Sequence, residues 1–209
     1  MAAPLREEKL NALTHGAALG ASLLYTAWIM SRFARDQGRL MIVSSTIFCA
    51  SMITLYAASF LYHLARDASL KRRLKVFDHS AIFVLIAGSY SPFTLAGLGG
   101  AWGWSLFGVV WALAAAGIVF KLFFTGRFKL VSTLLYVAMG WIIVIAAKPI
   151  MNSLPPRTIG WLIAGGLAYT LGTLFYMNKK LPFNHALWHG FVVMGTAGHA
   201  LALIFLAYP

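Results

Sequence analysis

The stretch NHALWHGFVVMGTAGHALALIFLA, residues 184–207, decides how the rest of the chain is read. It holds no Asp, Glu, Lys or Arg, and it is long enough to cross the roughly 20 residues of a bilayer's hydrocarbon as one helix. Inside hydrocarbon the backbone must satisfy its own hydrogen bonds, so a run of this kind is helical. Yet it opens with His185 and His189 and carries His199 further in. Ionisable side chains near hydrocarbon are costly and are kept for a purpose.

Working outward, six further apolar runs of span length lie near 12–31, 41–64, 77–97, 102–122, 129–148 and 158–177. Gly99-Gly100 separates the third from the fourth, Pro155-Pro156 precedes the sixth, and Pro182 precedes the seventh. Asn184 fits an N-cap, which puts His185 in the first helical turn. Together with 60% hydrophobic residues and a mean hydropathy of +0.78, this predicts an all-α membrane protein. It is expected to be one seven-transmembrane bundle over residues 1–209, with no soluble domain. Charged residues make up 11%, against about 25% in soluble domains, too few to cover a water-facing surface. The mixed charges of Met1 to Lys9 and the length of the first run argue against a cleavable signal peptide. Cys49 lies within an apolar run and forms no internal disulfide, being the only cysteine.

The net charge of +12 does not point to nucleic acid, because the basic residues sit in short loops between apolar runs. There they face anionic headgroups. Of the 17 Lys and Arg, twelve flank one side: Arg6, Lys9, Arg66, Lys71, Arg72, Arg73, Lys75, Lys121, Arg127, Lys129, Lys179 and Lys180. Five flank the other: Arg32, Arg35, Arg39, Lys148 and Arg157. The positive-inside rule therefore predicts a cytoplasmic N-terminus and an external C-terminus. That is opposite to a G-protein-coupled receptor, and the lack of lysine from Phe183 onward excludes a retinal Schiff base.

The same topology brings the chemistry to one end. His63 closes the second run, Asp78 opens the third, and His185 and His189 open the seventh, all near the cytoplasmic headgroup level. Histidines four apart on a helix share a face and can chelate one metal. Three His nitrogens with an open position commonly hold catalytic zinc. Taken alone, the His185–His189 pair could equally bond to neighbours or headgroups. Asp78, the only acidic residue in or beside an apolar run, is either a general base towards water, a fourth ligand, a helix cap, or a partner for Arg72, Arg73 or Lys75. Ser59, four residues before His63, either bonds back to the helix carbonyl four residues earlier or hydrogen-bonds a metal-bound water or the Asp78 carboxylate. His199, ten residues past His189, lies about 15 Å deeper and is expected to bond between helices. His15 is a spare candidate at the same end, and His79 is expected to point about 100° away from Asp78.

Four segments carry a resemblance: Ser59-Phe60-Leu61-Tyr62-His63, Phe77-Asp78-His79-Ser80, Ala87-Gly88-Ser89-Tyr90-Ser91-Pro92 and His185-Ala186-Leu187-Trp188-His189. They resemble the progestin and adipoQ receptor family, and the bacterial hemolysin III branch matches best. Glu7 to Gly16 (EEKLNALTHG) is similar to the opening of that branch. The resemblance covers nearly the whole chain and implies seven spans, a cytoplasmic N-terminus and Zn2+ held by three His beside an Asp. Those positions fall on His63, His185, His189 and Asp78, with Ser59 matching the family's serine. The adiponectin receptors and the related alkaline ceramidases imply hydrolysis of a lipid amide bond. Bacterial members are linked in name to haemolysis and to membrane-fluidity homeostasis, which implies a bacterial cytoplasmic membrane.

The expectation is thus a zinc-dependent hydrolase of a lipid amide or ester bond, with Asp78 as base, Ser59 in support, and membrane lipids as substrate and partners. Two other readings stand beside it: a non-enzymatic fluidity sensor whose zinc is structural, and a lytic protein.

Overall fold

The computed structural model describes residues 5–209, and every regular element among them is helical. They are α1 (Leu5–Asp36), α2 (Arg39–Leu64), α3 (Ala68–Ser91), α4 (Gly100–Phe124), α5 (Lys129–Gly140), α6 (Ala147–Ser153), α7 (Pro156–Met177) and α8 (Asn184–Ala207). A π-helical segment, Pro92–Leu98, prolongs α3, and a 3-10 turn, Ile142–Ala146, joins α5 to α6. The described residues thus form seven helical rods. Six are long and apolar enough to cross a membrane, and α1 is not among them. The reason lies in its polar residues: Asn11, His15 and Ser22 are all buried, turned into the bundle rather than towards lipid.

Local chemistry explains most boundaries. Proline at the start of the π-helical segment lacks the N–H that an ordinary turn would use, and the helix widens there. Gly99, at φ 63°, makes the left-handed turn into α4. Asp67 caps α3 by accepting from the Leu70 N–H at 2.7 Å. This α3 start lies well before Asp78, so Asp78 is not a helix cap but an interior helical residue. Nor is Asn184 an N-cap. The cap position is Phe183, and the Asn184 amide instead donates to the Phe175 and Tyr176 carbonyls ending α7. Phe183 (φ 55°) and Phe128 (φ 50°) both adopt the left-handed conformation that bulky residues avoid. They set the starts of α8 and α5 at the same end of the bundle.

The main core joins α1, α2, α3 and α8 through Phe33, Phe48, Tyr56, Leu85, Trp188 and Leu203. A smaller one joins α3 to α4 and α5 through Phe83, Val110 and Tyr136. Small residues set the closest approaches. A Cβ on Gly88 would stand 2.1 Å from Ser51 Oγ, so α3 lies against α2 only because that carbon is missing. The outer surface is apolar: Leu24, Phe123 and Ile145 are 75%, 74% and 73% exposed. Side chains of this kind, exposed around a whole bundle, suit lipid rather than water.

Candidate metal centre

The end of α2 and the start of α8 bring His63, His185 and His189 together. One nitrogen from each ring lies within 4.8 Å of the other two, close enough to hold a single metal ion. On α8 the four-residue spacing places the two rings on one face, with centroids 4.6 Å apart and planes tilted by 59°. His63 faces both, at 5.2 and 5.1 Å.

Hydrogen bonding fixes how two of these rings present themselves. His63 Nδ1 lies 3.0 Å from Glu8 Oε2, so the N–H sits on Nδ1 and the lone pair on Nε2. Glu8 also accepts from Lys71 Nζ at 2.8 Å. Burial alone would raise the Glu8 carboxyl, but the hydrogen bonds and charges of Lys71 and His63 hold it below the usual carboxylate range. On the other ring, Thr14 Oγ1 already donates to the Asn11 carbonyl at 2.9 Å. It therefore accepts from His189 Nδ1 at 3.2 Å, which again leaves the lone pair on Nε2. Meanwhile His63 Nε2 and His185 Nε2 are buried with no partner among the described residues. Buried polar atoms are normally bonded, and unpartnered imidazole nitrogens facing one point fit a metal with an affinity for imidazole. A carboxylate behind a ligating histidine, as Glu8 stands behind His63, is a usual support for such a site.

Asp78 is buried and lines the same cavity as His185 and His189, but it stands outside the convergent set. Its Oδ2 lies 3.3 Å from His79 Nδ1, which also contacts the Lys75 carbonyl at 2.9 Å. His79 therefore does not point away from Asp78; the ring folds back beside the carboxylate. No Arg or Lys pairs with Asp78 among the described residues. Ser59 is fully buried, and its hydroxyl bonds neither to its own helix nor to Asp78. His199 stays outside the cluster, and its Nδ1 meets the Gly195 carbonyl of its own helix at 2.8 Å rather than another helix.

Two residues take a larger part than the sequence suggested. His15 is 3% exposed and stacks on His189, with centroids 3.6 Å apart and planes 9° from parallel. Glu8 lies in the polar stretch before the first apolar run. Yet Glu8, Asn11 and His15 are spaced three and four apart, one face of a helix, and that pattern could have found them.

The cluster sits at a neck between two cavities. On one side, a vestibule of about 820 Å³ opens at the end where most basic residues gather. On the other, a narrow apolar cavity of about 100 Å³ leads between α3, α5, α7 and α8. Through Tyr90, Trp141, Gly166 and His199 it reaches a further apolar space of about 330 Å³. Vestibule and apolar cavity share His79, Thr133, Tyr136, Tyr176 and His185 as walls.

Sequence comparison agrees with this architecture. The profile of the family described as haemolysin-III related matches residues 4–200. The chain is 45% identical to the hemolysin-3 homolog of Bacillus subtilis (strain 168) over 202 residues, covering 96% of this chain and 94% of that one. It is 41% identical to the hemolysin-3 of Bacillus cereus, covering 98% and 94%. The human monocyte to macrophage differentiation factor is 24% identical, covering 94% and 83%. A bundle of membrane-crossing helices matched along almost its whole length has one reading: this multi-pass protein of a bacterial membrane belongs to the haemolysin-III related family.

Proposed function

We propose that the protein is a zinc-dependent hydrolase of a lipid amide or ester bond, acting in membrane lipid homeostasis with its N-terminus in the cytoplasm. The carrying observation is that three converging imidazoles and a separate buried carboxylate stand where a polar vestibule meets an apolar cavity. His63, His185 and His189 would hold the zinc, which supplies Lewis-acid polarisation of a carbonyl and activation of water near neutral pH. A structural zinc site is closed by four protein ligands, whereas here the fourth candidate stands apart from the three.

The chain's own residues divide the remaining work. Glu8 and Thr14 orient the His63 and His189 rings through Nδ1. The Asp78 carboxylate, turned to the same cavity, accepts the proton of the attacking water, with the His79 ring beside one of its oxygens at 3.3 Å. Ser59, four residues before His63 on the same helix, would support the site from behind, its buried hydroxyl being without another partner. The apolar cavity excludes water from the chain side and takes an acyl chain, so the scissile carbonyl lies at the neck.

The test combines zinc content and lipid products on one preparation. Wild type is expected to carry about one zinc per chain and to release a fatty acid from membrane lipid. Asp78→Asn should keep most of the zinc and lose activity by about 100-fold or more. Full hydrolysis in Asp78→Asn would remove Asp78 from the mechanism. Absence of both zinc and product in wild type would overturn the proposal.

A further inference from the structure

The vestibule is electrostatically one-sided. Lys71, Lys75, Lys121, Arg127, Lys129 and Lys179 line it, against two carboxylates, Glu7 and Glu8. Glu8 is engaged by His63 and Lys71, and no other of these cations has a carboxylate within 4.0 Å among the described residues. Two of them are built into the wall rather than waving from it. Lys121 is 2% exposed and its ammonium donates to Ser132 Oγ, whose own hydroxyl donates to the Phe128 carbonyl. An ammonium has three N–H groups, and beyond one serine oxygen it has only the Phe120 and Tyr136 rings, at 5.8 and 5.7 Å, so it has room for a further acceptor. Lys129 lies 3.6 Å over the Tyr176 ring and donates to the Tyr176 carbonyl at 2.9 Å. A charge drawn out of water without a counter-charge is unfavourable, and an anion in the vestibule that these lysines line would reduce that cost.

The shape says what kind of anion. The vestibule shares its inner wall with the apolar cavity, so one molecule can occupy both. It must carry negative charge at one end and hydrocarbon at the other, with the histidine cluster between. A phosphate brings up to two negative charges and three acceptor oxygens, which suits a vestibule lined by several ammonium groups better than one carboxylate does. We propose that the vestibule binds the phosphate of an anionic lipid headgroup, making phosphate-bearing lipids the ligand class of this site. The hydrolase reading is needed only to say which bond is cut; the binding site stands on the lysines.

Binding can therefore be measured without turnover. Purified protein in an uncharged detergent is titrated with short-chain phosphatidic acid and with diacylglycerol of the same chains, following tryptophan fluorescence. Phosphatidic acid is expected to bind about tenfold tighter or more, and this preference should shrink as salt is raised. The Lys121→Met, Lys129→Met double variant should lose about tenfold for phosphatidic acid alone, with Lys75→Gln as a milder second variant retaining the fold. Lys148→Met, at the opposite end of the bundle, should bind like wild type. Equal affinity for the two lipids, or unchanged phosphatidic acid binding in both vestibule variants, would overturn the proposal. So would displacement by inorganic phosphate at the same concentration, because the site would then recognise phosphate without the chains. Selective binding retained in Asp78→Asn, together with no hydrolysis in wild type, would break the hydrolase reading and leave this one standing.

Discussion

Helix α7 treats its two neighbours in opposite ways. Towards α8 it is sealed: a Cβ on Gly165 would lie 2.6 Å from His199 Nδ1 and 2.9 Å from the Gly195 carbonyl. Gly172 meets Trp188 and Phe191 equally closely, and Gly198 meets the Gly165 backbone. Towards α5 it is open. Gly166, one residue on, has nothing within 4 Å of where its Cβ would stand, and it lines both apolar cavities. Lipid tails are as apolar as Leu, so helices in a bilayer associate by close van der Waals fit rather than by hydrophobic burial. Where small residues face small residues or flat rings, the seam closes. Where a small residue faces nothing, a space of lipid-chain dimensions remains. The same residue type thus serves opposite ends a single position apart.

The adjacent glycines offer the sharpest way to break that comparison. Gly165→Leu must push α8 away, backbone included, and should cost roughly 3 kcal/mol or more. Because α8 carries His185 and His189, the variant is also expected to lose bound zinc. Thermal unfolding in detergent with zinc analysis on the same sample would check it. Wild-type stability there would mean the seam is not the structural one.

Gly166→Leu should do the reverse. It adds a side chain to open space, so stability is expected to stay within about 1 kcal/mol of wild type with zinc retained. Turnover of long-chain lipid should fall by about tenfold or more, since the added isobutyl group occupies the chain's path. Short-chain lipid should suffer less. A variant that hydrolyses long and short chains as wild type does would show that the chain lies elsewhere.

The smallest effect is expected where the open flank is bridged. Trp141 Nε1 donates to Thr170 Oγ1 at 3.0 Å, a polar link from the end of α5 to α7 beside the apolar cavities, away from the Lys129–Tyr176 link at the basic end. Thr170→Val removes it at a cost of about 1 kcal/mol or less. Chain exchange with the bilayer should quicken modestly, visible as faster release of a fluorescent fatty acid. Slower release would mean that the link opens the gap rather than closing it.

Much of this organisation was legible from residue order. Glycine pairs and prolines marked the α3–α4 break and the start of α7, and six of the seven apolar runs correspond to rods of membrane-crossing composition. His63, His185 and His189 could be assigned to one end because each closes or opens a run, and run ends are where a membrane protein's chain must reverse. The assignments that failed concern where a helix starts or which way a side chain leaves it. Asp78 was read as opening its helix, but Asp67 caps α3 one residue before it begins. His79 was placed facing away from Asp78, yet its flexible ring reaches back to within 3.3 Å. Asn184 was read as a cap, yet its amide reaches α7 because the backbone at Phe183 turns left-handed. His199 was expected between helices, but it bonds within its own helix and packs on Gly165.

Sequence by itself determined the solvent this protein lives in, the approximate length of its rods, the end at which its charges gather and the histidines that reach that end. Those follow from hydrocarbon thickness and from the cost of carrying charge into it, which act on each segment separately. Only the tertiary structure decided that Glu8 supports His63, that His15 stacks on His189, and that an apolar cavity meets a basic vestibule at the cluster. An apolar helix has no strongly preferred inner face until its neighbours are present. Which side turns inward is settled by how small and large residues of different helices fit, and no single segment contains that information.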